Sequence, residues 1–174
     1  DFLQTHDLLF RPVFVFVIIE LHSRRVLHAG VTRSPSDQWT AQQLRNTLLD
    51  HDAPRFLIRD NDCKFGASFQ TIADDEGIEI LRMPVRAPRA NAFCERFLGS
   101  LRRECLNHIL ILSEDHLRRT VAEYVRYCTA CRPHQGLEQV IPMEVGSPRG
   151  ALGYCKVIAT PILGGLHHDY RRAA

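Results

Sequence analysis

The run Val13-Phe-Val-Phe-Val-Ile-Ile19 constrains this chain more than any other stretch. It is β-branched or aromatic at every position and carries no charge, so it cannot alternate between a wet face and a dry one. It reads as a strand covered on both sides. Such a strand needs partners, and the flanking segments supply them. Asp1-Phe-Leu-Gln precedes it, and Arg25-Val-Leu-His-Ala-Gly-Val-Thr32 follows after the turn-like His22-Ser23-Arg24. This close spacing predicts an antiparallel meander. The run is also far too short to cross a bilayer, and the opening residues do not read as a secretory leader.

Beyond the meander the pattern alternates. Ser34-Pro-Ser-Asp37 has the chemistry of a helix start, with Ser34 as N-cap, Pro35 in the first helical position and Asp37 in the first turn. That helix carries Trp39, Leu44 and Leu48 towards Asp50. Arg55-Phe-Leu-Ile-Arg-Asp60 predicts a short buried strand ending in a carboxylate. A helix over Phe69 to Asp75 and a strand over Gly77 to Arg82 follow. A further helix runs from about Asn91 to His108, with Phe97, Leu101 and Cys105 on its apolar side. Ser113-Glu-Asp opens another, ending near Cys128. The expected class is α/β, a mixed sheet with an antiparallel meander first and parallel strands after it, flanked by helices. With 174 residues, 45% of them hydrophobic and 24% charged, the chain has an ordinary soluble composition and length for one domain. The core is assigned to residues 1–137 and an irregular tail to 138–174.

The sequence lacks a GxSxG elbow, a Walker A loop and a GxGxxG fingerprint, so the serine hydrolase, P-loop and dinucleotide readings lose their usual support. Three acids stand out instead. Asp1 lies on the first strand, Asp60 at the carboxyl end of a buried strand where open α/β sheets present their sites, and Glu95 in the first turns of the next helix. Carboxylates converging on one cleft repel unless cations neutralise them, and hard oxygen ligands suit Mg²⁺ or Mn²⁺. Two such ions would activate a nucleophile and stabilise the leaving oxygen of a phosphodiester. The plainer reading of the same residues is a turn-forming Asp and a Glu that favours its helix dipole. Cys128-Thr-Ala-Cys131 has the spacing of half a zinc site, but no second close pair follows, so small semi-buried helix residues are the expectation. Reduced cysteines and a cytoplasmic setting go together.

Several of these segments also resemble a known family in order along the chain. Asp60-Asn-Asp-Cys-Lys-Phe65 is followed by Pro84-Val-Arg-Ala-Pro-Arg-Ala-Asn-Ala-Phe-Cys-Glu95-Arg-Phe and Leu101-Arg-Arg-Glu-Cys-Leu106. Tyr127-Cys-Thr-Ala-Cys-Arg-Pro-His-Gln-Gly-Leu137 and Leu163-Gly-Gly-Leu-His-His-Asp-Tyr-Arg171 come after them. The series resembles the catalytic core of the retroviral-integrase superfamily, and within it bacterial insertion-sequence transposases. The resemblance implies a ribonuclease H-like fold. It also implies a D-D-E triad on Asp1, Asp60 and Glu95 as catalytic and metal ligands, and strand cleavage and transfer on DNA. Glu20 and Asp7 are the alternatives to Asp1. The chain departs from the family pattern at Asp62, where glycine is common, and at Cys128, where a polar residue is common.

Basic residues border this acidic centre. The formal charge of only +2 conceals them, because arginine supplies nearly all the positive charge and only Lys64 and Lys156 are lysines. Lys64, Arg89, Asn91, Arg96, Arg102 and Arg103 are the candidate DNA contacts, their forks and amides suited to phosphate oxygens. Asn91, Glu95, Gly99 and Arg102 share one helical face, and Gly99 would leave space for a backbone to approach. Solvation of an exposed helix is the plainer role for any one of these arginines. His134 reads as a structural hydrogen-bonding residue. The expected partners are DNA, as transposon ends and target, and further copies of the chain. The rivals are a stand-alone nuclease of the same fold and an inactive remnant that binds DNA or an oligomeric partner. A start at Asp1 without methionine predicts that this is the catalytic part of a longer protein.

Overall fold

In the computed structural model, which describes residues 1–83, 91–133, 141–142 and 156–173, the apolar run forms the middle of a three-stranded antiparallel sheet. Its strands are β1 (Phe2–His6), β2 (Pro12–Ile19) and β3 (Val26–Thr32), paired Phe2 with Phe16 and Val15 with Val31. Both faces of β2 are covered, as its composition predicts. Val13, Val15 and Val17 join one core cluster with Leu98, Leu101, Leu117, Val121 and Tyr124. Phe16 joins a second with Ala41, Leu44, Phe65, Phe69 and Ile72. The hairpin between β1 and β2 is closed by Asp7, whose side chain is 1% exposed and lies 2.8 Å from both Arg11 and Arg33. Burial alone raises its carboxyl pKa, but hydrogen bonds from Arg11 and then Arg33 outweigh this and hold it far below the usual range.

Helix α1 (Asp37–Asp50) corrects the predicted start. Ser36, not Ser34, is the N-cap, with its hydroxyl accepting from Trp39 N at 3.2 Å. Ser34 is held back by a bond from its own N–H to Thr32 Oγ1. Asp37 does more than sit in its own first turn. Its carboxylate accepts from the backbone N–H groups of Gly66, Ser68 and Phe69, and so caps the start of α2 (Ala67–Asp75) from a distance. Three such bonds lower its pKa against the opposing effect of burial.

Strands β4 (Phe56–Arg59) and β5 (Glu79–Arg82) pair in parallel, Leu57 beside Ile80 and Arg59 beside Arg82. Two expectations are corrected here. Among the described residues no ladder joins these strands to the meander, so the sheet is two ladders rather than one. The second core cluster links them instead, with Phe2 of β1, Leu57 of β4 and Ile80 of β5 all packed against it. Nor is β4 fully buried. Leu57 packs on the second cluster, whereas Phe56 and Ile58 point away and are exposed, because only one face of the pair is covered.

The predicted helix from Asn91 to His108 is α3 (Ala92–Glu104), broken at Cys105 and continued by a short 3₁₀ turn over Leu106–His108. Helix α4 (Glu114–Ala130) begins as expected, with Ser113 accepting from His116 N. Cys128 packs in the core, where burial pushes its thiol up to about 11. The tail is not irregular throughout. Strands β6 (Val157–Ile162) and β7 (His167–Arg172) form an antiparallel hairpin, turned by Gly164 and Gly165 at positive φ. The hairpin docks on α4. His167 stacks on Tyr127 at 4.7 Å, and Leu163 N donates to Glu123. The boundary at 137/138 and His134 lie outside the described residues.

Candidate active site

Asp1 immediately precedes β1 and is fixed on three sides. Its carbonyl accepts from Val17 N at 3.0 Å, its Oδ1 from Phe2 N at 2.6 Å and its Oδ2 from Asn91 Nδ2 at 2.5 Å. The last bond spans 90 positions of sequence and pins the start of α3 to the start of β1. Asn91 occupies the N-cap position of α3, yet its side chain makes no capping bond and serves Asp1 instead.

Asp60 follows the last residue of β4 and is half-buried, with its carbonyl accepting from Arg59 Nη1 at 2.8 Å. Asn61 donates to Met83 O, which ties the loop after β4 to the end of β5. Glu95 stands exposed in the first turn of α3. The Cys94 thiol lies between Phe93 and Glu95 in the first turn of α3. Burial pushes its pKa up, the amino group of Asp1 opposes this, and the negative charges of Glu95 and Asp60 add to it. Among the described residues neither Asp60 nor Glu95 forms an ion pair. No three His, Cys, Asp or Glu side chains among the described residues stand close enough together to hold a metal ion as they are. What the structure joins directly is Asp1 and the start of the helix that carries Glu95, through Asn91. Of the alternatives to Asp1, Asp7 is committed to Arg11 and Arg33, and Glu20 accepts from Ser23 Oγ in the β2–β3 turn.

The basic candidates divide by what they touch. Lys64 pairs with Asp62 at 2.5 Å, and its ammonium lies 5.2 Å from the Phe2 ring centroid. Arg102 donates to Gln4 O at 2.8 Å, beside a cleft of about 320 Å³ lined by Gln4, Thr5, His6, Leu106 and Asn107 at the other end of β1 from Asp1. Arg103 fills the space over Gly99, where a Cβ would come within 2.9 Å of its Nη1, so that gap is already occupied. Arg96 is exposed on α3, and Arg89 lies outside the described residues.

Two arginines escaped the sequence reading. Arg59 is 8% exposed with a buried Nε that has no partner, and its guanidinium lies 5.4 Å from the Phe65 ring centroid. Burial, then the charge of Arg82, lower its pKa. Arg24, in the β2–β3 turn, lies over the Phe93 ring of α3. Burial and then Arg96 lower its pKa, though an arginine stays charged at neutral pH regardless. Neither carries a sequence signal, since turn and strand-end arginines are ordinarily solvated.

Comparison with known proteins agrees with this architecture. Residues 76–142 match the integrase core domain family. The structure resembles the HTLV-2 integrase catalytic core domain in complex with magnesium, with a TM-score of 0.66 at 12% identity over 83% of this chain and 91% of that one. These define the class: an α/β integrase-core fold. An uncharacterized 39.2 kDa protein of insertion element IS476 from Xanthomonas euvesicatoria is 25% identical over 135 residues, 77% of this chain. An uncharacterized 31.7 kDa protein of insertion element IS407 from Burkholderia multivorans is 23% identical over 146 residues, 81% of this chain. The chain is thus similar to the integrase core domain family over residues 76–142 and, more distantly, to proteins of bacterial insertion elements. It spans 39% and 51% of the length of those two relatives.

Proposed function

We propose that this chain is the catalytic core of a transposase that cuts and joins DNA strands, with Asp1, Asp60 and Glu95 as its acidic triad. The observation that carries this reading is the bond from Asn91 Nδ2 to Asp1 Oδ2 at 2.5 Å, which brings the start of α3 to the start of β1, while Lys64, in the loop after β4, lies 5.2 Å from the Phe2 ring centroid of β1. The donor chemistry fits a hard divalent cation: three carboxylates, of which Asp60 and Glu95 have no ion-pair partner among the described residues. Mg²⁺ or Mn²⁺, as two ions, would be held by these three groups. When bound, such ions polarise the scissile phosphodiester and lower the pKa of a bound water or hydroxyl.

The remaining work falls to the chain's own side chains. Asn91 holds Asp1 in position through its amide and so sets the distance between β1 and α3. Arg59 fixes the carbonyl of Asp60 and steadies the loop that presents it. Lys64, Arg89, Asn91, Arg96, Arg102 and Arg103 are the proposed contacts to DNA, positioning the backbone without reading its sequence. Water is the nucleophile for cleavage and a 3′-hydroxyl for joining. The partners would be transposon ends, target DNA and further copies of the chain, in a cytoplasmic setting. Among the described residues no helix is long and apolar enough to cross a membrane.

A second reading, an inactive DNA-binding or oligomerisation remnant, is favoured by one observation, the lack of a closed cage among the described acids. One assay separates the readings. Incubated with Mg²⁺ and a duplex that carries its insertion element's terminal sequence and is 5′-labelled on the strand to be cut, the chain is expected to nick the duplex and to join the new 3′ end to a second DNA. Nicking without joining supports a stand-alone nuclease, and neither reaction from the chain or its full-length protein supports the remnant.

A further inference from the structure

The turn between β2 and β3 carries an arginine that the fold itself does not use. Arg24 sits at φ +63, a left-handed conformation that a long side chain rarely adopts and that glycine would take without strain. Its guanidinium carbon lies over the Phe93 ring, 3.2 Å from the centroid, within cation–π range. Its Nη1 is buried and has no hydrogen-bond partner, and no ion pair reaches it among the described residues. The acid in the same turn, Glu20, accepts from Ser23 Oγ through its carboxylate, and its backbone carbonyl accepts from Arg24 N at 2.9 Å.

A second positive charge lies on the same helix face as the ring. Arg96 is exposed on α3, three positions beyond Phe93, over which Arg24 lies. Neither arginine forms an ion pair among the described residues. An anion would supply the partner. The position selects which anion. Phe93 and Arg96 lie in the first turn of α3, which also carries Cys94 and Glu95, with Asn91 just before it on Asp1. The pair therefore flanks the acidic residues along the same helix turn, where a phosphate backbone led to those acids must pass.

We propose that Arg24 and Arg96 form a two-armed clamp on adjacent phosphates of one DNA strand, with Phe93 as the platform that aims Arg24. The clamp rests on the reading of the acidic site as a DNA-processing centre. The ring beneath the guanidinium limits the ordering cost of binding, and because Nη1 is buried the phosphate contact falls to the other guanidinium N–H groups of the half-buried Arg24.

The test is fluorescence anisotropy of the whole chain with a fluorescein-labelled 30-base-pair duplex across a salt series. Each phosphate contact contributes roughly 0.9 to the slope of log affinity against log salt. Arg24→Gln is expected to lower that slope by about 0.9, a loss on the order of eightfold at 0.1 M salt that vanishes towards 1 M. Arg24→Gln with Arg96→Gln loses about twice that slope. Arg24→Lys, which keeps the charge, retains the slope and shows that a drop in Arg24→Gln is not misfolding. Arg118→Gln, removed from α4 where Glu114 and Asp115 already pair it, leaves both affinity and slope unchanged. A duplex bound by the wild type and by Arg24→Gln with the same affinity and slope overturns the clamp and leaves the DNA reading intact. No binding of duplex by the wild type overturns the DNA reading and the clamp together.

Discussion

Asp60→Asn and Glu95→Gln each lower Mg²⁺-dependent strand cleavage by about a thousandfold or more, a barrier increase of about 4 kcal/mol, while the melting temperature stays within a few degrees. The size of the effect follows from the chemistry. An amide keeps the shape of the side chain but surrenders the charge that holds a divalent ion, so the loss falls on the reacting centre. The small effect on stability follows from the structure. Glu95 is exposed and makes no ion pair among the described residues, and the Asp60 carboxylate accepts only one long bond, 3.3 Å from Asp62 N. Neither side chain belongs to a core cluster. Quantified nicking by gel, set beside a thermal melt of each variant, checks both halves. Wild-type rates in either variant contradict the assignment.

The opposite signature is expected from Leu101→Ala. Leu101 has no exposed surface and lies in the cluster shared by α3, α4 and the valines of β2. Truncating a buried leucine costs about 2–5 kcal/mol, through lost transfer energy and the cavity left behind. For a domain of this length that corresponds to roughly 5–15 °C in melting temperature. Activity falls as well, because Leu101 lies on the helix that carries Glu95, and an ångström of misplacement at a reacting centre is expensive. Circular dichroism melts detect the drop. An unchanged melting temperature contradicts the packing of α3 against the sheet.

The contrast between these variants reflects what was legible in the sequence. A strand buried on both faces announces itself through composition alone, and β2 does divide two core clusters. The positions of Asp60 after a strand and Glu95 in a first helical turn were equally readable, because both depend on local pattern. Long-range polar contacts were not. Asp37 looks like an ordinary first-turn acid, yet it caps a helix 29 positions away through Gly66 N. Ser34 before Pro35 reads as the cap of α1, yet Ser36 caps it while Ser34 N is bonded to Thr32 Oγ1, a contact that local pattern does not reveal. The terminal hairpin hid behind Pro161, which ordinarily demotes a strand, and behind the polar β7, which has no apolar alternation. Arg24 was invisible because nothing local tells a turn arginine in water from one pressed onto a ring.

DNA cleavage by this chain requires the three carboxylates to act together on a divalent ion. Mn²⁺ binding, followed by electron paramagnetic resonance as the ion is titrated into the wild type, Asp60→Asn and Glu95→Gln, measures this without depending on turnover. Loss of a direct ligand is expected to weaken binding by at least about tenfold in each variant. Equal Mn²⁺ binding by all three proteins would contradict the triad.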